Sequence, residues 1–386
     1  MRRMETHFAR ALERIDTRRE RRTLTASTPD AGARLVRGGA ALIDFSSNDY
    51  LGLSMHPLLI ERSVQWAQTL GAGAGASRLV TGTREAHLAL ERKIAAFKGT
   101  EAALLFPSGW HCNAAVLGAL LKAAPETLLF SDRLIHGSLH AGAAGHRQIR
   151  FRHNDLDHLE ALLADYPDHD GPRLIVTESV FSMDGDRTDL SRLVQIARAH
   201  DAFLYLDEAH ATGVLGPDGR GLSAALPGQI DLVMGTFSKA FGCFGAYVAG
   251  SQLLIDYLIN ACGGFIFSTA PPPAMLGAID AALDLVPGMT AERARLATLA
   301  DGLRARLQAA RIDTGASATQ IVPAIVGDAS TALALADAVA ANGMLAAAIR
   351  PPTVPAGTSR LRIALHATHD EADVERLADT IIGQRA

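Results

Sequence analysis

One lysine, Lys239, ends an apolar run and lies between hydroxyl residues and a glycine, in the stretch Thr236-Phe-Ser-Lys239-Ala-Phe-Gly242. A protonated amine is a poor nucleophile, but a dry, electropositive pocket lowers the pKa of a lysine until it can form a Schiff base with an aldehyde. A lysine at the end of a buried strand is also commonly a surface residue whose charged head reaches water. Lys239 is therefore a candidate for covalent attachment of an aldehyde if suitable partners lie elsewhere in the chain.

An acidic residue upstream could serve such an aldehyde. The apolar run 203–206 precedes Asp207, and His210 follows in the sequence Asp207-Glu-Ala-His210. A strand would deliver Asp207 to its carboxyl end, the edge at which open α/β sheets bind ligands. With pyridoxal phosphate, an acid keeps the ring nitrogen protonated so that the ring withdraws electrons from the substrate carbon, and His210 would reach the phenolic oxygen. A magnesium-type pair of Asp207 with Glu208 is the alternative, but beside Lys239 the acid favours pyridoxal phosphate.

A glycine turn before a helical stretch supplies a candidate phosphate site. The sequence Ser108-Gly109-Trp110 opens an apolar, alanine-rich stretch that continues to about Lys122. Glycine lets backbone amides face a phosphate, and the helix N-terminus adds favourable partial charge. Thr236 supplies another hydroxyl. A serine and a glycine before a helix are also commonly a simple cap, so this signal depends on the other motifs.

A histidine in a loop-to-helix setting completes the candidate site. His136, in Ser131-Asp-Arg-Leu-Ile-His136-Gly-Ser-Leu-His140, could stack on a cofactor ring. As an imidazolium it could also stabilise negative charge on a substrate carbonyl oxygen. The His136 and His140 pair has the i,i+4 spacing of a metal site, but no glutamate follows His136 as a zincin motif requires. We therefore predict no metal site.

These motifs, in this order over nearly the whole chain, resemble the α-oxoamine synthases, which are fold-type I pyridoxal-phosphate enzymes. The matching segments are residues 45–53, Ser108-Gly109, His136-Gly-Ser, residues 178–185, Asp207-Glu-Ala-His210, Thr236-Phe-Ser-Lys239 and Phe267-Ser-Thr269. The resemblance implies an α/β fold with a large, mostly parallel, seven-stranded sheet domain and a smaller C-terminal α+β domain. It also implies a homodimer with shared active sites.

The resemblance assigns a role to each residue of the candidate cofactor site. Lys239 would hold pyridoxal 5'-phosphate, Asp207 would pair with the ring nitrogen, and His136 would lie over the ring; these three are the predicted catalytic residues. Ser182 and His210 would contact the ring-oxygen side. The other implied cofactor contacts are Ser108, Gly109, Trp110, Glu178 and Thr236 from one subunit and Thr269 from its dimer partner.

The C-terminal region is expected to select the substrates. Arginine makes bidentate bonds to carboxylates, and the resemblance implies that Arg362, with Asn48, holds an amino-acid carboxylate, while His136 also contacts substrate. The Arg350-Pro-Pro-Thr353 run is similar to the branch of the family that joins L-alanine to a pimeloyl thioester. Thr353 would contact substrate and Arg350 would lie close by. The alternatives are a glycine or serine C-acyltransferase of the same family and a paralogue without turnover.

The N-terminal segment is expected to contribute one more substrate contact. Residues 1–22 carry eight arginines and have the apolar spacing of an amphipathic helix. Counting back without gaps from Phe45, the acyl-substrate arginine of the family falls on Arg22, with Arg21 as the alternative. The acyl group could be carried by coenzyme A or by an acyl carrier protein, and the sequence does not separate the two.

Alternating apolar segments and helical stretches predict a mostly parallel sheet wrapped by helices. The apolar segments are 104–106, 174–176, 203–206 and 232–235, and Pro271-Pro-Pro273 opens a long helix. We expect three parts: an N-terminal helical and extended segment at 1–49, a large cofactor-binding domain at 50–286, and a small C-terminal domain at 287–386.

Composition limits the remaining function classes. The chain has 386 residues, 48% of them hydrophobic, enough for a large core in two or three domains. A net charge of −4 argues against general affinity for nucleic acid. Three cysteines without a CxxC pair fit a reducing compartment. No apolar run approaches the ~20 residues of a membrane helix, and no signal-peptide core is present. We therefore expect a cytoplasmic protein that does not bind membranes.

Overall fold

The computed structural model describes residues 3–17 and 21–384. The strands of these residues form three sheets. The strands are β1 (Thr28–Asp30), β2 (Arg34–Arg37), β3 (Ala40–Asp44), β4 (Ala102–Phe106), β5 (Leu128–Asp132), β6 (Gln148–Phe151), β7 (Arg173–Glu178), β8 (Ala202–Asp207), β9 (Leu232–Thr236), β10 (Ala246–Gly250), β11 (Ile321–Gly327), β12 (Met344–Leu345), β13 (Ala347–Ile349) and β14 (Ser359–Ala364).

Helices connect and cover these strands. They are α1 (Arg3–Thr17), α2 (Pro57–Leu70), α3 (Glu85–Lys98), α4 (Gly109–Ala123), α5 (Gly137–Gly142), α6 (Leu156–Ala164), α7 (Leu190–Ala199), α8 (Gln252–Ala261), α9 (Gly263–Ile266), α10 (Pro273–Leu285), α11 (Thr290–Ala309), α12 (Ala329–Ala341) and α13 (Glu371–Gly383). Short helical turns occur at Arg78–Gly82, Pro217–Gly219, Leu222–Ala225 and Val286–Gly288. The predicted long helix after the proline run is α10, which begins with a proline at its first turn, where a missing N–H costs nothing.

The largest sheet has seven strands in the order β4-β10-β9-β8-β7-β5-β6. Strands β5 to β9 pair in parallel, whereas β10 runs antiparallel to both β4 and β9. Every residue of β4, β9 and β10 is buried, as expected when helices cover both faces of a sheet. The predicted large, mostly parallel, seven-stranded sheet is confirmed, and the four apolar segments that predicted it lie within β4, β7, β8 and β9.

The parallel register brings three site residues to one edge of this sheet. Glu178 ends β7 and is paired in register with Asp207, which ends β8. Asp207 in turn pairs with Met234 on β9, two residues before Thr236. Helix α4 begins just after β4, so its N-terminus at Gly109 points toward the same edge. The carboxyl ends of neighbouring parallel strands thus bring polar side chains together that are far apart in the sequence.

The remaining strands form two smaller sheets. Strand β3 pairs in parallel with β12 and antiparallel with β2, which pairs with β1, and β14 lies between β11 and β13. The N-terminal strands therefore share a sheet with a strand from the C-terminal third of the chain. The division at residues 1–49, 50–286 and 287–386 stays a prediction.

The helix predicted over residues 1–22 extends over Arg3–Thr17, and residues 1, 2 and 18–20 lie outside the described residues. Arg21 and Arg22 are described and are not helical, so the prediction was wrong at its C-terminal end. Helix α1 has no buried residue, and its apolar side chains Phe8 and Leu12 are 58% and 42% exposed. The apolar side that the sequence predicts is thus uncovered within this chain.

No single helix among the described residues combines the length and apolarity of a membrane span. The consecutive segments Pro273–Gly288 and Thr290–Ala309 meet that criterion only when taken together, across a bend of 75°.

Candidate active site

A cavity of about 230 Å³ opens at the edge where β7, β8 and β9 end. Its lining residues are Ser108, Gly109, Trp110, Asn113, His136, Glu178, Asp207, Ala209, His210, Met234, Thr236, Ser238 and Lys239. Nine of the eleven predicted cofactor contacts are in this set. The other two, Ser182 and Thr269, are not.

Asp207 lies buried in this cavity, with both carboxylate oxygens bonded. Asn113 donates from Nδ2 to Oδ2 of Asp207 at 2.7 Å, and the backbone N–H of Ala209 donates to Oδ1 at 2.8 Å. Asn113 is in turn fixed by Tyr205, whose hydroxyl donates to Oδ1 at 2.7 Å, and by Ser138, whose Oγ lies 3.0 Å from Nδ2. The carboxylate is therefore held in one orientation, as an acceptor for a protonated ring nitrogen requires.

Sequence reasoning missed the role of Asn113. It lies four residues after Gly109 in α4, and residues at i and i+4 share one face of a helix. Because Gly109 faces the cavity, Asn113 faces it one turn deeper, where it is 1% exposed. The sequence did contain a sign of this role, because Asn113 is a polar residue in a mostly apolar helix and lies one turn after Gly109.

Lys239 and Glu178 are the other ionisable groups deep in the cavity. Burial, opposed by the carboxylates of Asp207 and Glu178, lowers the pKa of Lys239 to about 8. Burial and the neighbouring Asp207 raise the pKa of Glu178 well above its usual range. Glu178 accepts a hydrogen bond from the backbone N–H of His136 at 2.6 Å. A lysine whose amine is partly neutral near physiological pH can attack an aldehyde and can accept a proton.

A tight turn holds Lys239 in place. The backbone at Gly242 has φ of +63°, and a Cβ there would lie 2.3 Å from the backbone nitrogen of Ser54. Only glycine fits this approach. The glycine that follows the lysine in the motif therefore reverses the chain toward β10, and Lys239 is held between the ends of β9 and β10.

His136 lies at the mouth of the cavity beside Trp110. The two rings meet edge to face with centroids 5.8 Å apart, and Nδ1 of His136 lies 2.7 Å from Oγ of Ser138. Burial lowers the pKa of His136, although Asp207 opposes this effect. The imidazole is therefore mostly neutral at pH 7, whereas the sequence suggested an imidazolium; it can donate one hydrogen bond rather than carry a positive charge.

A second polar cluster brings Asn48, Tyr50, His210 and Arg362 together. The hydroxyl of Tyr50 donates to Oδ1 of Asn48 at 3.0 Å and lies 2.7 Å from Nδ1 of His210. Arg362 donates from Nη2 to Oδ1 of Asn48 at 3.0 Å and from Nε to the carbonyl of Ser182 at 2.5 Å. Burial and the nearby cations Lys239 and Arg362 hold the pKa of His210 well below its usual range.

Tyr50 is a second residue that sequence reasoning did not single out. It is fully buried and bridges the predicted cofactor contact His210 and the predicted substrate contact Asn48. The only signal was its place in the motif at 45–53, which carried no role for it. Its hydroxyl therefore links the ring-oxygen side of the cavity to the arginine that is expected to hold a carboxylate.

A larger cavity of about 530 Å³ adjoins the first and shares Trp110 and His136 with it. Ser182 and Thr353 line this second cavity. Nη2 of Arg22 lies 3.5 Å from Oγ1 of Thr353. The structure thus brings residues from the two ends of the chain together at the second cavity.

Three residues of the predicted site, Arg21, Arg350 and Thr269, are not among the residues that line the two cavities. Arg21, the alternative to Arg22, forms an ion pair with Asp16 at 3.0 Å. Arg350 is half-buried, and its carbonyl accepts from the backbone N–H of Thr353 at 3.0 Å. Thr269 is exposed and bridges to Ser77, away from both cavities. A role for Thr269 in cofactor binding requires a neighbouring subunit.

The cavity residues fit pyridoxal phosphate. An oriented acid, a half-buried lysine with a lowered pKa and an imidazole near the mouth match the ring nitrogen, the aldehyde and the ring face. Ser108 caps α4, and its Oγ accepts from the N–H of His111 at 3.3 Å, so the first turn of the helix faces the cavity with its free amides. A Cβ at Gly109 would lie 3.1 Å from Cε of Met234, so a larger residue here would crowd the cavity wall.

A cluster beside the second cavity has side chains that could in principle bind a metal, namely His153, Asp184 and Asp186. His153 lies between two carboxylates, with Nδ1 3.1 Å from Asp132 and Nε2 3.0 Å from Asp186. Although burial opposes it, these carboxylates raise the pKa of His153 to about 10. A protonated imidazole has no lone pair for a metal, and Asp184 pairs with Arg360. The cluster is therefore an ion-pair network built around a cationic histidine.

The chain is similar to a large family of known proteins. A family model described as aminotransferase class I and II matches residues 40–381. A putative 8-amino-7-oxononanoate synthase of Bordetella bronchiseptica is 60% identical over 386 residues, covering 99% of this chain and 97% of that protein. The 8-amino-7-oxononanoate synthase of Gluconacetobacter diazotrophicus is 59% identical over 388 residues, with the same coverage of 99% and 97%. These relatives confirm the resemblance that the motifs predicted.

A solved structure has the same fold at lower identity. Serine palmitoyltransferase from S. paucimobilis, with a bound PLP–myriocin aldimine, matches with a TM-score of 0.92 and 27% identity, covering 100% of this chain and 98% of that one. This similarity confirms the predicted fold-type I architecture.

Proposed function

The chain belongs to the aminotransferase class I and II family, and within it we propose that the protein is an acyltransferase that condenses L-alanine with a pimeloyl thioester. The reaction releases carbon dioxide and the thiol carrier and forms 8-amino-7-oxononanoate, a precursor of biotin. The observation that carries this proposal is the 59–60% identity, over nearly the full length, to relatives named for this reaction. The serine palmitoyltransferase neighbour is only 27% identical, so a serine or glycine C-acyltransferase is not favoured.

Pyridoxal phosphate is the cofactor, and when bound it supplies an electron sink for the carbanion that forms at the Cα of the amino acid. Asp207, fixed by Asn113, would accept a hydrogen bond from the ring nitrogen. The amides at the start of α4 and the hydroxyl of Thr236 would hold the phosphate. Lys239 is the residue that would hold the aldehyde, and its amine would be the base for the Cα proton of the amino acid. Its pKa of about 8 suits an amine that must give up and accept a proton near neutral pH.

Arg362 and Asn48 bind the carboxylate of alanine. Arg362 is buried, and its guanidinium is anchored by the carbonyl of Ser182 and by Asn48. A buried guanidinium that is already oriented loses little freedom when a carboxylate binds. Arg362 also lies near enough to Lys239 for its charge to contribute to the lowered pKa of that lysine.

His136 faces the acyl partner. It lines both cavities, so a thioester carbonyl that enters from the second cavity passes beside it. As a neutral imidazole whose Nδ1 is paired with Ser138, it donates a hydrogen bond from its other nitrogen to the carbonyl oxygen as negative charge develops there. Thr353 lines the second cavity and contacts the acyl donor, with Arg22 beside Thr353 and Arg350 at the turn that carries it.

We further propose a homodimer with shared active sites in the cytoplasm. Thr269 is exposed and the neighbouring Phe267 is 85% exposed, an arrangement suited to a subunit interface. Cys112, Cys243 and Cys262 are all free thiols, which suits a reducing compartment. The acyl carrier is coenzyme A or an acyl carrier protein, since both present the same thioester.

The test is a substrate panel with the purified protein loaded with pyridoxal phosphate. L-alanine, glycine and L-serine are each paired with pimeloyl, succinyl and palmitoyl thioesters, and the amino-ketone product and released carbon dioxide are measured. We expect L-alanine with the pimeloyl thioester to have the highest kcat/KM. A preference for glycine with succinyl thioester or for serine with palmitoyl thioester would contradict the proposal.

A further inference from the structure

The second cavity has a near end and a far end relative to Lys239. Trp110 and His136 line both cavities, whereas Lys239 lines only the first. The thioester carbonyl must lie near His136 to reach the reacting carbon. The rest of the acyl chain therefore extends into the second cavity, away from the lysine.

Most of the second cavity is apolar. Its lining residues are Trp110, Arg133, Leu134, Ile135, His136, Gly137, His140, Phe181, Ser182, Met183, Asp184, Pro352, Thr353, Val354 and Pro355. Such a surface suits a methylene chain, which gains free energy when its apolar area leaves water. A carboxylate at the end of that chain would be strongly disfavoured here without a cationic partner.

Among the described residues that line this cavity, Arg133 is the only arginine, and its charge is available. Its backbone follows β5 and is anchored, since its N–H donates to the carbonyl of Phe151 at 3.1 Å. Its guanidinium forms no ion pair or side-chain hydrogen bond within the part of the chain that the structure describes. Asp184, the one carboxylate among the described lining residues, is already paired with Arg360. Asp184 therefore does not neutralise Arg133.

We propose that Arg133 binds the distal carboxylate of the acyl donor and makes the enzyme selective for monothioesters of α,ω-dicarboxylic acids. This inference rests on the proposed function, and it identifies the residue that recognises the distal carboxylate of the acyl donor. A guanidinium on a fixed backbone forms a bidentate pair with a carboxylate. Arg22, whose Nη2 lies 3.5 Å from Oγ1 of Thr353, is not among the residues that line this cavity.

The test compares two acyl donors that differ only at the distal end. Pimeloyl-CoA and heptanoyl-CoA have the same chain length, but only the first ends in a carboxylate. Both are assayed with saturating L-alanine on the native holoenzyme and on Arg133→Gln, Arg133→Lys and Arg147→Gln. Arg147 is an exposed arginine outside both cavities and serves as the matched control.

We expect the native enzyme to prefer pimeloyl-CoA at least about tenfold in kcat/KM, the factor that corresponds to about 1.4 kcal/mol. Arg133→Gln should lose about tenfold or more with pimeloyl-CoA, chiefly through KM, and should leave heptanoyl-CoA nearly unchanged. Arg133→Lys should recover part of the preference, and Arg147→Gln should match the native enzyme. Pimelate should inhibit the native enzyme competitively with the acyl donor, and this inhibition should weaken in Arg133→Gln.

Two results overturn the assignment in different ways. If Arg133→Gln lowers kcat/KM equally for both donors, or for neither, Arg133 does not read the carboxylate, although the proposed function stands. If the native enzyme turns over neither donor with L-alanine, the proposed function fails and the assignment of Arg133 fails with it.

Discussion

Asn113 donates a 2.7 Å hydrogen bond to Asp207, joining the cavity face of α4 to the end of β8. The two residues are far apart in the sequence, and Tyr205 and Ser138 complete the contacts of the amide. The carboxylate at the floor of the cavity thus has a fixed direction before any ligand arrives. A ring nitrogen bound there meets an acceptor that needs no reorganisation.

Replacement of Asn113 tests this arrangement. Asn113→Ala leaves one oxygen of a buried carboxylate without its donor, which costs about 1–3 kcal/mol. We expect kcat to fall roughly ten- to a hundredfold while cofactor binding is largely retained. Asn260→Ala, on the exposed side of α8, is the control and should have native kcat. Unchanged kcat in Asn113→Ala, with the cofactor spectrum also unchanged, would show that the orientation of Asp207 does not matter.

The lowered pKa of Lys239 predicts how attachment of the cofactor depends on pH. The neutral amine is the nucleophile, so the rate at which the apoprotein attaches pyridoxal phosphate should rise about tenfold per pH unit below 8 and level off above it. Lys239→Ala should abolish attachment and turnover, whereas Lys122→Ala, on the surface of α4, should alter neither. The measurement is mass spectrometry after borohydride reduction. Attachment that continues to rise to pH 10 would indicate an ordinary lysine.

His153 predicts a pH dependence of stability. Its pKa is raised from 6.5 to about 10 in the folded protein, so its stabilising contribution is fully present below pH 6.5 and is lost as the pH rises through about 10. His153→Gln should lower the free energy of unfolding by about 1–3 kcal/mol at pH 7. The difference from the native protein should shrink above pH 10. Urea unfolding at both pH values measures it, with His7→Gln on α1 as the control; a constant difference would contradict the ion-pair account.

Sequence patterns identified residues that line the first cavity because these residues lie at strand ends. Glu178, Asp207 and Thr236 each end a strand of the main sheet, and apolar runs followed by a polar residue are visible in one dimension. The residues that were missed, Asn113 and Tyr50, act through contacts with distant segments. The residues that they contact can be identified only when the order of the strands in the main sheet and the position of the C-terminal strands are known.

The protonation of His136 could not be read from the sequence either. An imidazolium was suggested because a positive charge would stabilise a carbonyl oxygen, and the burial of His136 is not visible in the sequence. In the folded chain, burial lowers its pKa more than the nearby Asp207 raises it. The strands β5, β6 and β10, which also complete the sheet, were not singled out, because the periodicity of a short apolar run does not separate a strand from a buried helix.

Arg362 and Arg350 should have separable effects. Arg362 lies in the buried cluster with Asn48 and Tyr50, so Arg362→Ala should weaken alanine binding by about 1.5–3 kcal/mol, roughly tenfold or more. Arg350→Ala should leave alanine binding nearly unchanged and lower the rate of condensation with the pimeloyl thioester. The spectral dissociation constant for alanine and the steady-state rates distinguish the two. Equal loss of alanine affinity in both variants would refute the proposal that Arg362 binds alanine and Arg350 acts in the condensation.

Subunit mixing tests whether Thr269 completes the site of a partner. Lys239→Ala inactivates the site that contains it, and Thr269→Glu sets a negative charge against the phosphate of whichever site it reaches. If Thr269 acts across the interface, a heterodimer of the two variants has one site with both changes and one site with neither. Equal mixing should then recover about a quarter of native activity, since about half of the dimers are mixed and each has one intact site. If Thr269 acts within its own subunit, or if the active species is a monomer by ultracentrifugation, mixing recovers nothing.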